Sequence, residues 1–199
     1  MEISAALVKE LREKSNAGIM DCKNALSEAK GNFELAFEIL RKKGIASAQR
    51  KMGKSTLEGI VEAYIHPGNR LGVLVEINCE TDFVAKTQEF RNFVKDIAMQ
   101  VAASNPMVIN REQISKDIIE KELEIYRSQA SELKKPAQIV EKIALGKLEK
   151  FYQEVCLLEQ QFIKDPTKTV KDVLLEFIGK IGENVTIKRF SRYRLGENI

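Results

Sequence analysis

Hydrophobic residues near the start of the chain recur at intervals of three and four, which is the spacing of amphipathic helices. The pattern breaks at residues 16–18, at Gly31 and at Gly44, and glycine and asparagine favour helix ends. Ser4 and Asn32 stand where a helix-capping side chain is expected. The pattern therefore predicts three helices, the third ending at Gly44, packed as a small bundle.

The period then changes from helical spacing to strict alternation. Two alternating runs, 60–65 and 71–77, flank the turn sequence Pro67-Gly68-Asn69, and this arrangement is typical of a β-hairpin. A new helical pattern follows and continues until Pro106. A strand-to-helix corner is therefore predicted at residues 79–86.

The remainder of the chain is mostly helical in pattern. Helices are predicted to start near Ser115, Pro136 and Thr169. A segment of β-branched, aromatic and basic residues from Val185 to Tyr193 predicts a third strand. The expected fold class is α+β: a three-helix bundle, then a helix-rich core with a three-stranded antiparallel sheet. So small a sheet needs another surface to cover its edges and one face.

Composition and charge suggest how the chain is divided. We expect a helical domain at residues 1–45, a basic linker at 46–56 and an α+β core at 57–199. The net charge is only +3, and a protein that neutralises nucleic-acid phosphates normally has a larger basic excess. The excess present is concentrated between residues 41 and 54. A solvated linker and a patch that steers an acidic partner both explain it.

The residues that carry chemistry are few and scattered. Cys22, Cys79 and Cys156 lie far apart and His66 is the only histidine, so no zinc site, disulfide framework or cysteine nucleophile is predicted. Cys22 and Cys156 fit helical core positions, and His66 fits the hairpin turn. The run 48–55 lacks a glycine that a phosphate-binding loop requires. We therefore predict no catalytic residue, no metal, no cofactor and no enzymatic activity.

Several segments together resemble one known family. Thr81-Asp82-Phe83-Val84-Ala85, preceded by residues 75–80, closely resembles the signature of the elongation factor Ts family. Residues 8–26 are similar to that family's ubiquitin-associated-like amino-terminal domain, and residues 180–190 to its core. The resemblance covers nearly the whole chain in the same order. The length resembles the short members, which carry one core repeat.

This resemblance implies a function in translation elongation, the guanine-nucleotide exchange that elongation factor Ts performs on elongation factor Tu. It implies that Thr81, Asp82, Phe83 and Val84 press on the partner near its Mg²⁺ site, so that GDP leaves faster. From the residues alone, Phe83 could instead be a core residue at a helix start, and Asp82 a helix N-cap. No metal or cofactor of its own is implied.

A second contact is implied at the amino-terminal domain. Leu11, Arg12, Ile19 and Met20 match positions that dock on the partner's G domain, although Leu11 and Met20 also fit the core of the bundle. Gln100 departs from the family pattern, because relatives often carry histidine there. No contact is therefore assigned to Gln100.

The resemblance further implies a homodimer in which the three-stranded sheets pack together. No nucleic-acid or membrane partner is expected. Two alternatives stay open: a ubiquitin-associated-like adaptor joined to a dimerisation domain without exchange activity, and, more weakly, an RNA-binding accessory using residues 41–54. The amino terminus lacks the pattern of a targeting segment, so a bacterial cytosol or a plastid stroma is the expected location.

Overall fold

A computed structural model of the chain describes residues 3–15, 17–134 and 136–197. Three helices come first and are followed by two strands, four helices, two short strands, one helix and a last strand. The helices are α1 (Ala5–Ser15), α2 (Ile19–Glu28), α3 (Phe33–Lys51), α4 (Asp82–Ala85), α5 (Gln88–Ser104), α6 (Lys116–Ser131), α7 (Ala137–Val155) and α8 (Val170–Ile181). The strands are β1 (Glu58–Ile65), β2 (Leu71–Cys79), β3 (Gln161–Phe162), β4 (Asp165–Thr169) and β5 (Val185–Arg194).

The predicted α+β class is confirmed. The first three helices pack around a common core whose fully buried members include Leu11, Cys22 and Leu26. A three-stranded sheet has the order β1–β2–β5, and the β1–β2 hairpin closes where the His66 N–H donates to the Leu71 carbonyl at 2.9 Å. The hairpin and the third strand therefore form the sheet predicted from the alternating pattern.

The third helix is longer than predicted. Gly44 does not end α3, which continues to Lys51. The extension is held by tertiary contacts: Ala48 is fully buried, and the Lys51 ammonium donates to the Gly182 carbonyl. These contacts outweigh the cost of about 1 kcal/mol that a glycine imposes inside a helix. Residues 46–51 are thus helical, while the division into domains at 45 and 57 stays a prediction.

The chain forms two compact units. One contains residues 1–60, 77–93 and 172–188, and the other contains residues 61–76, 94–171 and 189–199. In the first unit the rings of Phe93 and Phe177 stack with their centroids 4.3 Å apart. In the second unit α6 and α7 pack on a small cluster around Leu148, Tyr152 and Cys156. No helix of the described residues has the length and hydrophobicity needed to cross a bilayer.

The sequence pattern missed the short antiparallel pair β3–β4 in the second unit. Gln100 of α5 holds this region in place. Its side chain is completely buried: Nε2 donates to the Gln160 side chain at 3.2 Å and to the Gln161 carbonyl at 3.1 Å, while Oε1 accepts from the Ile163 N–H at 2.8 Å. The structure therefore gives Gln100 an internal, fold-stabilising role in this chain.

Candidate partner-binding site

The predicted strand-to-helix corner forms where β2 ends at Cys79 and α4 begins at Asp82. Thr81 is the N-cap residue: its backbone is extended, and its Oγ1 accepts the Val84 N–H at 3.4 Å. The predicted capping role of Asp82 is therefore wrong. Asp82 occupies the first helical position instead, and its carboxylate accepts from the Lys86 ammonium at 2.5 Å. That hydrogen bond lowers the pKa of Asp82 below its usual range.

Phe83 points into solvent from this corner. Its side chain is 79% exposed, whereas Phe90 and Phe93, on the next helix, are almost completely buried. Val84 is half-buried and Ala85 is buried. The alternative of Phe83 as a core residue therefore does not describe this fold, and the corner presents a large apolar ring to the outside.

The backbone around the corner is held by two carboxylates. Glu183 accepts hydrogen bonds from both the Thr81 N–H at 3.0 Å and the Thr81 hydroxyl at 2.7 Å. Glu80 accepts from the Asn184 N–H at 2.6 Å and from the Lys54 ammonium at 2.9 Å. The Asn184 hydrogen bond first, and Lys54 second, lower the pKa of the Glu80 carboxyl. The corner is thus joined to the turn between α8 and β5.

Cys79 lies beside the corner as a structural thiol. It is fully buried, its Sγ donates to the Thr81 carbonyl at 3.1 Å, and burial raises its pKa to about 11. A thiol in that state is a poor nucleophile at neutral pH. Cys22 and Cys156 are also fully buried, which confirms their predicted core positions. The described residues contain no group of three or more His, Cys, Asp or Glu that could hold a metal ion.

The four amino-terminal candidates differ in exposure. Leu11 is completely buried in the bundle core, whereas Ile19 is 54% and Met20 is 63% exposed. Arg12 is also exposed. Leu11 therefore stabilises the bundle, and Arg12, Ile19 and Met20 are the members of the set that offer side chains to a partner.

Most of the basic residues between 41 and 54 are neutralised within the fold. Arg41 contacts Glu176 at 2.5 Å, Lys43 contacts Glu28 at 3.0 Å and Lys42 contacts Glu38 at 2.8 Å. Lys51 and Lys54 bind the Gly182 carbonyl and Glu80, as described above. The segment is consequently a poor surface for phosphates, which weakens the hypothesis of RNA binding.

One face of the sheet is apolar and uncovered. Alternate residues of β2 are buried, whereas Leu74 between them is 48% exposed. The same face carries Val61 and Ile65 of β1 and Tyr193 of β5, which are 66%, 59% and 69% exposed. The exposed sheet face is thus a second surface suited to another protein.

His66 lies at the predicted turn, where its Nδ1 is 2.9 Å from the Tyr64 hydroxyl.

A helical bundle and an α+β core that expose an aromatic ring on a fixed corner are features of a binding protein. Comparison with known proteins gives the particular family. The family model described as Elongation factor TS matches residues 45–197. Elongation factor Ts of Caldanaerobacter subterraneus subsp. tengcongensis is 60% identical over 197 residues, which cover 99% of this chain and 98% of the relative.

Elongation factor Ts of Carboxydothermus hydrogenoformans is also 60% identical, covering 99% of this chain and 91% of the relative. Elongation factor Ts of Desulforamulus reducens is 60% identical, covering 100% and 91%. The chain therefore belongs to the elongation factor Ts family, and its role is in translation elongation.

Proposed function

We propose that this protein is a guanine-nucleotide exchange factor that accelerates GDP release from elongation factor Tu. The observation that carries the proposal is Phe83, 79% exposed on a backbone fixed on both sides. Burial of such a side chain contributes about 1.5–3 kcal/mol. The free protein forgoes this stabilisation, and a partner that covers Phe83 recovers it.

The proposed mechanism is the one that the family resemblance implies, and the exposed ring at the corner supports it. Phe83 inserts between side chains of the partner close to its Mg²⁺ site, and Asp82 places a carboxylate beside it. Because Mg²⁺ bridges the protein and the phosphates of the nucleotide, disturbing its ligands removes a large electrostatic attraction for GDP. By linkage, incoming nucleotide weakens binding of the factor to the same degree, so the factor is released afterwards.

Arg12, Ile19 and Met20 form the second contact with the partner in this proposal. The two apolar side chains are exposed next to each other at the start of α2. Leu11 supports them indirectly, because it anchors α1 in the core of the same bundle. We expect this contact to contribute affinity, while the corner acts on the nucleotide.

We also propose that the exposed sheet face is covered by the same face of a second copy. Val61, Ile65 and Leu74 give this face the apolar character of an oligomer interface. An isologous pairing buries the patch of both chains with one set of contacts. Light scattering after gel filtration tests this: the parent should elute as a dimer, and Val61→Glu should be monomeric.

The exchange function is tested by release of a fluorescent GDP from purified elongation factor Tu of the same source, with Mg²⁺ present. The parent protein should accelerate release, and Phe83→Ala should lose most of the acceleration. Leu133→Ala is the matched control, because Leu133 is an exposed apolar residue (57%) just after α6 that is not among the proposed contact residues. A folded parent that leaves the release rate unchanged would contradict the proposal and favour an adaptor without exchange activity.

A further inference from the structure

The corner that carries Phe83 cannot be held by its own helix. Helix α4 has only four residues, and so short a helix is not stable by itself. Its N-cap hydrogen bond, from the Val84 N–H to Thr81 Oγ1, is long at 3.4 Å. Some other group must therefore fix the direction in which Phe83 points.

Glu183 is placed to do this. It lies in the turn that follows α8, where Gly182 has a left-handed backbone with φ of +82° and donates its N–H to the Ile178 carbonyl at 3.0 Å. From that turn the two carboxylate oxygens of Glu183 each accept one hydrogen from Thr81, at 3.0 Å and 2.7 Å. Hydrogen bonds to a carboxylate are stronger than neutral ones, and two of them fix both position and orientation.

The hydrogen bonds between the corner and the turn after α8 run in both directions, because each segment supplies one carboxylate that accepts from the backbone of the other. Glu183 accepts from the backbone at Thr81, while Glu80, the residue before Thr81, accepts from the backbone N–H of Asn184 at 2.6 Å. The Asn184 side chain in turn donates to the Lys54 carbonyl at 2.8 Å. Two side-chain carboxylates therefore join the chain just after the end of β2 to the chain just before the start of β5, where the strands themselves no longer pair.

We infer that Glu183 is a positioning residue of the exchange site, which orients Asp82 and Phe83 through its two hydrogen bonds to Thr81. This inference rests on the proposed exchange function. A corner ordered before the encounter presents the ring in its productive orientation, and a small displacement of a positioned group has a large effect on rate. Glu183 touches neither nucleotide nor Mg²⁺ in this scheme and acts only through Thr81.

The variants Glu183→Ala and Glu183→Gln test the inference in the fluorescent GDP assay. Loss of both hydrogen bonds should lower the maximal rate of GDP release at saturating factor by about tenfold or more. Glu183→Gln should fall between parent and Glu183→Ala, because its amide oxygen accepts one hydrogen of Thr81 and its NH₂ group accepts none. Glu120→Ala, an exposed carboxylate on α6, is the matched control and should leave the rate unchanged.

Measuring the maximal rate of GDP release and the half-saturating concentration of the factor separately distinguishes a loss of orientation at the corner from a loss of folded protein. A variant that is merely less well folded supplies less active factor, so its half-saturating concentration rises and its maximal rate is unchanged. In the double variant Phe83→Ala/Glu183→Ala, the rate should lie within about twofold of Phe83→Ala alone, because most of the effect of Glu183 is exerted through Phe83. Additive losses would overturn the inference.

A readout without elongation factor Tu completes the test. Hydrogen exchange of the Thr81 amide should be protected in the parent and at least about tenfold faster in Glu183→Ala. If the parent and Phe83→Ala behave as proposed but Glu183→Ala keeps the parent rate, the inference fails and the exchange function stands. If the parent itself does not accelerate release, the exchange function and this inference fail together.

Discussion

Gly59, the second residue of β1, allows the strand to pass very close to β2. Its φ is +148°, and a Cβ added there would lie 2.3 Å from the Ile77 carbonyl oxygen and 2.7 Å from the Asn78 Cα. Both neighbours are backbone atoms of a strand and cannot rotate away. Gly59→Ala therefore forces the two strands apart by about 1 Å, given that ordinary contact begins at 3.4 Å.

The cost of Gly59→Ala has two parts. An L-residue with this backbone conformation carries about 1–3 kcal/mol of strain, and overpacking costs about another 1–3 kcal/mol. We expect the free energy of unfolding to fall by about 2–6 kcal/mol, since both apply together. For a chain of this size, that corresponds to roughly 10 °C in Tm.

Urea denaturation followed by far-UV circular dichroism measures this loss. Gly146→Ala is the matched control, because a Cβ at that position in α7 meets nothing within 4 Å and alanine gains about 0.5–1 kcal/mol over glycine inside a helix. A Gly59→Ala variant within about 1 kcal/mol of the parent would refute the argument, since single overpacking changes at rigid sites cost more than that.

Three further predictions concern burial and ionisation. Phe83→Ala should change the free energy of unfolding by less than about 0.5 kcal/mol, whereas Phe90→Ala, at a fully buried position, should cost about 3–5 kcal/mol in the same urea titration. Because the folded-state pKa of Glu80 is lowered, its stabilisation is present above its ordinary pKa of 4.5 and is lost as the pH falls through the lowered value. The stability difference between the parent and Glu80→Gln should therefore be largest at neutral pH and shrink under acid, and a difference independent of pH would contradict this assignment. Ellman's reagent at about pH 8 should find no reactive thiol in the native protein and three in urea, because all three cysteines are buried; fast reaction of the native protein would contradict the burial.

The sheet could be predicted from the sequence because its pattern is enforced by burial. In β2, residues 73, 75 and 77 are buried on one face, and a shift of one residue would expose all of them. The three helices of the bundle were predictable for the same reason. Helical spacing of apolar residues persists in sequence wherever a single face is buried.

The features that were missed depend on distant residues. Gly44 looks like a helix end locally, but contacts of α3 with residues more than 130 positions away extend the helix to Lys51. Asp82 and Thr81 are both good capping residues. Thr81 is the residue that the hydrogen bonds of Glu183 hold before the helix, and Glu183 lies 102 positions further along the chain. Strand β3 has only two residues, too few to show any period.

The order already present at the corner has an energetic consequence for the proposed exchange. Fixing the backbone of one residue costs about 1–2 kcal/mol, so four flexible residues from Thr81 to Val84 would subtract several kcal/mol from binding. Here the hydrogen bonds of Glu183 and Glu80 have already ordered that segment on folding. A larger part of the free energy gained by burying Phe83 is then available to weaken the partner's binding of Mg²⁺ and GDP. Because the coupling between two bound ligands is reciprocal, a looser corner that weakened GDP binding less would also be displaced less effectively by incoming nucleotide.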